Sequence, residues 1–168
     1  AQDSLEPPRV IDADVAFLMN TVMKDVILHG TGHRATILQR NDLAGKTGTT
    51  NRQMDSWFSG FNSKIETTVW IGYDKPTPLR EYAAQTALPI WINFMRTALE
   101  GMPEISLKQP DNVTTARIDK TTGLLASPGD QNTMFEYFRQ GTVPSYDTYN
   151  TPDEQSNIGD ENDTARMF

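Results

Sequence analysis

Three stretches of the chain carry a readable alternation of apolar and polar positions. Ile11, Val15, Leu18, Met19, Val22, Met23, Val26 and Ile27 recur at three- and four-residue spacing, which predicts a helix with one apolar stripe. Asp12 stands where it can cap the first turn, and Gly30 or Gly32 can end the helix. Further on the period changes from near four to two. "SWFSGFN" alternates Trp57, Ser59 and Phe61 against Phe58 and Gly60, and "ETTVWIGYD" alternates Val69, Ile71 and Tyr73 against Thr68, Trp70 and Gly72. Asn62-Ser63-Lys64 between them is short enough for a hairpin. If "LAGKTGTT" is extended as well, three antiparallel strands follow one another. A second helix is predicted over "TALPIWINFMRTALEG", with Ala87, Ile90, Trp91, Phe94, Met95, Ala98 and Leu99 on its buried face and Pro89 in its first turn.

Helix, three strands, helix is an α+β pattern: an antiparallel sheet flanked by helices. The predicted division runs 1–110 for this layered part, 111–144 for an extended segment, and 145–168 for an acidic end. Within 111–144, "VTTARIDKTTGLLAS" reads as two short extended pieces around a turn at Lys120 to Gly123.

Charge sharpens this division. The chain has 168 residues and a formal net charge of −7. From Ser145 onward six acidic residues stand against Arg166 alone, with almost no aliphatic side chains, so a solvated and mobile tail is expected there. An acidic chain lacks the basic stripe that nucleic acid requires, and no run approaches the roughly 20 apolar residues of a membrane helix, so neither partner is expected. There is no cysteine, which excludes disulfides, thiolate metal sites and a cysteine nucleophile. The opening "AQDSLEPPRV" has neither the basic nor the apolar region of a signal peptide and no initiator methionine; the expectation is a chain that begins inside a longer one.

The candidate chemistry lies in "DLAGKTGTTNRQMDSWFSGFN". On a strand edging a cleft, Lys46 brings a positive charge, while the hydroxyls of Thr47 and Thr49 face one side two residues apart. Two hydroxyl donors beside a cation suit a carboxylate. Gly48 leaves room for a ligand backbone, and an unpaired strand N–H can serve an oxyanion. On the tripeptide alone, an ordinary solvated strand accounts for the same residues. A Walker A loop is excluded because Arg40 stands where its first glycine belongs. His29 and His33 have the four-residue spacing of zinc ligands, but glycines interrupt the helix between them and no third ligand follows.

The wider order changes the weighting. "DLAGKTGTTNRQMDSWFSGFN", "TTVWIGYDKP" and "TALPIWINFM", followed by "RIDKTTGLLASPG" and "EYFRQGTVP", resemble the class A penicillin-binding proteins of bacteria, most of all their first-numbered Gram-negative paralogue. The resemblance covers about Val10 to Met95 and then the later region. It implies the C-terminal portion of a penicillin-binding, β-lactamase-like serine transpeptidase fold, on the periplasmic side of the inner membrane. Such domains use Ser-x-x-Lys, Ser-x-Asn and Lys-Thr-Gly. Their serine attacks a D-Ala–D-Ala bond of a stem peptide, and β-lactams mimic that donor. The full-length enzymes are also peptidoglycan glycosyltransferases, and the transpeptidase reaction needs no cofactor or metal. By the resemblance, Lys46 tunes the site and its proton transfer, and Lys46, Thr47, Gly48 and Thr49 line the substrate. The Thr49 backbone N–H supplies half of an oxyanion hole, a donor worth on the order of 3 kcal/mol of barrier.

The sequence departs from the family in one respect that matters. None of its eight serines is followed three residues later by lysine or two residues later by asparagine. The nucleophile is therefore expected on an upstream part of the same protein carrying Ser-x-x-Lys and Ser-x-Asn, together with the membrane anchor, and this chain alone is expected to be inactive. A non-catalytic binding or assembly module of the same fold and a β-lactamase fragment are the alternatives. A smaller departure is "LREYAAQTALP", which lacks the glycine-rich turn common before the final helix.

Overall fold

The computed structural model describes residues 8–146. The expected tail falls outside the described residues from position 147 onward, as does the start of the chain before Pro8. The chain divides after Thr114 into two compact units.

The first unit contains helix α1 (Ala13–Leu28), strands β1 (Ala44–Thr49), β2 (Ser56–Phe61) and β3 (Glu66–Ile71), and helix α2 (Ala87–Ala98). The strands form an antiparallel sheet in the order β1-β2-β3, so β1 lies at one edge. The hairpin between β2 and β3 is closed by Asn62, whose side-chain oxygen accepts the N–H groups of Lys64 and Ile65, each at 2.9 Å. The core joins Phe58 of β2 to Leu88, Trp91, Ile92, Met95 and Leu99 of α2, with Ile27 and Leu43. Phe58 and Trp91 meet edge to face, their ring centres 4.9 Å apart.

The expected faces hold in part: Ala87, Trp91, Met95 and Leu99 of the second helix and Ile27 of the first are buried as expected, and the rest shift. In α2 the buried side chains are Ala87, Leu88, Trp91, Ile92 and Met95, whereas Ile90 and Phe94 stand half exposed. The helix is apolar around most of its circumference, so periodicity could not select the side that meets the sheet. In α1 Val15, Met19 and Val22 face outward, as does Ile11 just before the helix, while Asp14 and Phe17 are buried with the expected Ile27. Asp14 is tolerated there because the Asn112 amide donates to it at 2.8 Å. Asp12 occupies the N-cap position in extended geometry, but its side chain makes no capping hydrogen bond, contrary to expectation.

The second unit is built around β4 (Val113–Asp119), which begins just before the division, and β5 (Thr133–Arg139). The expected turn is present: Asp119 Oδ1 accepts the N–H groups of Thr121 and Thr122, and Gly123 adopts a left-handed φ of 72°. The second extended piece of the expected pair is only a bridge at Leu125, which contacts Ile118 and Tyr146. The strand partner of β4 is instead β5, an element that the alternation of "TMFEYFR" could have signalled. No described helix is long and apolar enough to cross a membrane, and the described residues contain no cluster suited to a metal ion.

Candidate active site

All four predicted site residues lie on β1, whose registry assigns their directions. Thr47 pairs with Phe58 and Thr49 with Ser56, so these threonines share the face that β2 turns toward the core. Lys46 pairs with Ser59 and Gly48 with Trp57, on the opposite face. Thr50, one residue beyond the strand, donates its N–H to the Asp55 carbonyl at 3.0 Å. Backbone groups alternate in direction along an antiparallel pair, so the N–H and C=O of Thr47 and Thr49 aim away from β2, at the edge of the sheet. Among the described residues no strand pairs with that edge.

Lys46 starts on the outer face, yet its ammonium reaches around the edge. Nζ donates to the Thr47 carbonyl at 2.9 Å and lies 3.4 Å from Thr47 Oγ1. The Thr47 hydroxyl also meets Thr31 Oγ1 at 2.7 Å. Thr49 Oγ1 accepts the Ala83 N–H at 3.4 Å, a contact with the segment that leads into α2. The four residues thus present a cation, two hydroxyls and an outward-facing strand N–H along one edge. Such a set can hold a carboxylate and stabilise a developing oxyanion.

Gly48 has a local explanation that the sequence did not reveal. A Cβ there would come within 3.3 Å of the Trp57 Cβ across the strand pair. Gly45 is under tighter restraint, since a Cβ there would meet the Ser59 carbonyl at 2.8 Å. Both glycines let β1 lie close against β2. His33 Nδ1 bonds the Leu28 carbonyl at 2.8 Å, so this histidine secures the end of α1. Two shallow hollows, one beside Asn20, Lys24 and Asn62 and one beside Ile37, Arg40 and Met95, contain none of residues 46–49. The candidate site as described is the exposed edge of β1.

The turn behind this edge went unread in the sequence. Gly30-Thr31-Gly32 follows α1, and Gly32 donates its N–H to the Val26 carbonyl at 2.8 Å. A Cβ at position 30 would lie 2.9 Å from the Val26 Cα, and one at position 32 would lie 3.1 Å from its carbonyl. Two glycines allow the turn to fold back tightly and carry Thr31 to Thr47. The signal was the "GTG" spacing itself, which reads from sequence only as a helix stop.

Known proteins are similar to this chain. The family model for the C-terminal domain of penicillin-binding protein 1A matches residues 109–149. Penicillin-binding protein 1A of Pseudomonas aeruginosa is 47% identical over 149 residues, covering 86% of this chain and 18% of that protein. The chain belongs to the penicillin-binding protein 1A family. The Escherichia coli member is 39% identical over 160 residues, covering 82% of this chain and 19% of its own length. A crystal structure of penicillin-binding protein 1A from Haemophilus influenzae superposes with a TM-score of 0.74 at 37% identity, covering 82% of this chain and 22% of that one. The antiparallel sheet with its helices is thus a portion of a penicillin-binding fold. The chain spans about a fifth of the length of these relatives.

Proposed function

We propose that this chain supplies one wall of a serine D,D-transpeptidase that cross-links peptidoglycan stem peptides and is acylated by β-lactams. The observation that carries the reading is the β1 edge: the Thr47 and Thr49 hydroxyls share a face, their backbone groups aim outward, and Lys46 Nζ lies beside Thr47. Thr47 and Thr49 hold the carboxylate of the donor peptide or β-lactam, with Lys46 supplying positive charge. The Thr49 N–H and the N–H of the nucleophile form the oxyanion hole. No step requires a metal or organic cofactor.

The nucleophilic serine and its lysine come from an upstream part of the same protein, which also carries Ser-x-Asn, the glycosyltransferase and the anchor in the inner membrane. This chain lies on the periplasmic side and does not itself touch the membrane. Its outward apolar line Ile11, Val15, Met19 and Val22, with Ile90 and Phe94 of α2, gives the upstream part a surface to cover. Alone, the chain is inactive.

Intact mass spectrometry of the longer polypeptide, with and without benzylpenicillin, tests the reading. A long-lived adduct of the penicillin's full mass on the serine of an upstream Ser-x-x-Lys is expected. No adduct would make this a non-catalytic module of the fold, and rapid turnover of the penicillin would make it a β-lactamase.

A further inference from the structure

We propose that Thr31 is a positioning residue of this edge: its hydroxyl orients the Thr47 hydroxyl so that Thr47 donates to a substrate carboxylate. The inference rests on the transpeptidase reading and adds to it a residue outside the Lys-Thr-Gly string.

The argument is a proton count at Thr47 Oγ1. A threonine hydroxyl has one proton to donate and two lone pairs to accept with. The Lys46 ammonium has protons only, so at 3.4 Å from Oγ1 it can address only a lone pair. Thr31 Oγ1, 2.7 Å away, can take either role toward Thr47. If Thr47 donates to Thr31, its oxygen presents only lone pairs to the edge, and these repel an anion. If Thr31 donates, both lone pairs are engaged and the Thr47 proton is left to point outward. A carboxylate at the edge selects the second arrangement, in which the Thr31 hydroxyl, donating to one lone pair, fixes the direction of the Thr47 proton.

The frame around Thr31 suits this task. The residue is exposed, and its hydroxyl's described partner is Thr47. A Cβ on Gly30 would meet the Val26 Cα at 2.9 Å and one on Gly32 the Val26 carbonyl at 3.1 Å, so the turn lies tightly against the end of α1. A group fixed in this way can set a neighbour's rotamer without a large entropic cost on binding.

The test uses the full-length protein and two probes, benzylpenicillin and its methyl ester, which lacks the anionic carboxylate. The second-order acylation rate is measured for the native protein and for Thr31→Val, Thr31→Ala, Thr31→Ser, Thr47→Val and Thr31→Val/Thr47→Val. The expectation is a loss on the order of tenfold with the acid for Thr31→Val and Thr31→Ala, the scale of one hydrogen bond, with the ester unaffected. Thr31→Ser should restore the acid rate, and Thr31→Val should add nothing in the Thr47→Val background. The acid-to-ester ratio is internal to each sample, so partial misfolding cancels. An unchanged ratio in Thr31→Val and Thr31→Ala, or equal losses with both probes, would overturn the assignment while leaving the transpeptidase reading intact. A native protein that neither probe acylates would overturn both.

Discussion

The indole N–H of Trp91 lies between the carbonyl oxygens of Gly60 and Thr67, at 3.2 and 3.1 Å. Those two residues face each other across β2 and β3, so one side chain of α2 secures both strands behind the candidate edge. Trp91 is fully buried and also packs on Phe58. Trp91→Phe keeps much of the apolar contact but leaves two carbonyls without this donor. It should cost about 1–3 kcal/mol, and Trp91→Ala about 3–5 kcal/mol. Denaturant unfolding of the longer protein checks both values, and a larger loss in the phenylalanine variant would refute this division.

The same packing makes position 60 intolerant of any side chain. A Cβ on Gly60 would stand 2.6 Å from Trp91 Cζ2 and 2.8 Å from Phe58 Cε1, both ring atoms in a filled core. Gly60→Ala should therefore destabilise by about 1–3 kcal/mol through overpacking, despite alanine's better strand entropy. A thermal melt at or above the native midpoint would contradict this.

Stability should depend on pH through Asp42. Its side chain is buried, and Arg40 grips it with two hydrogen bonds at 2.9 and 2.8 Å. Burial disfavours the charge, but the Arg40 guanidinium, the Ile105 N–H and the Asn62 amide outweigh it and hold the carboxyl below its ordinary value. A depressed folded-state value means that this contribution is present above the unfolded carboxyl's titration and is lost as pH falls through the folded one. Arg40→Leu leaves a buried carboxylate without its cation and should cost about 3–5 kcal/mol near neutrality. The penalty should shrink in acid, where the carboxyl can take up a proton. Unfolding curves at pH 7 and pH 4 decide the matter, and an equal penalty at both would count against the ion pair as its source.

The exposed line on α1 supplies a test of the proposed upstream partner. Val22 is 58% exposed in this chain, so Val22→Glu breaks no packing within it. In the longer protein the same substitution should lower the melting temperature, because it buries an unpaired charge at the covered surface. A melting temperature equal to that of the native longer protein would show that Val22 is not covered.

The elements around the candidate edge were legible because their patterns are local. The period-two runs at Trp57–Phe61 and Val69–Tyr73, with Asn62-Ser63-Lys64 between the strands, specify the hairpin, whereas the close approach of β1 to β2 at Gly45 and Gly48 was not read. The faces of the helices were legible only in part: Ala87, Trp91, Met95 and Leu99 were expected in the core and lie there, but the edges of the face were not set. Ile90 and Phe94 are as apolar as Leu88 and Ile92, and only the position of Phe58 and Val69 selects between them. Thr31 escaped for a related reason: its partner Thr47 is sixteen residues away, and nothing in a Gly-Thr-Gly turn indicates where it folds back. The buried Asp14 was not read at all, because the Asn112 amide that donates to it is distant in sequence.

The central claim is that the β1 edge receives the acylated substrate. A crystal structure of the full-length protein acylated by benzylpenicillin measures this directly. The account predicts the penicillin carboxylate within hydrogen-bond distance of Thr47 Oγ1 and Thr49 Oγ1, and the acyl oxygen about 2.7–3.1 Å from the Thr49 backbone nitrogen. A carboxylate bound by residues outside Lys46–Thr49, with the Thr49 N–H turned to solvent, would contradict it.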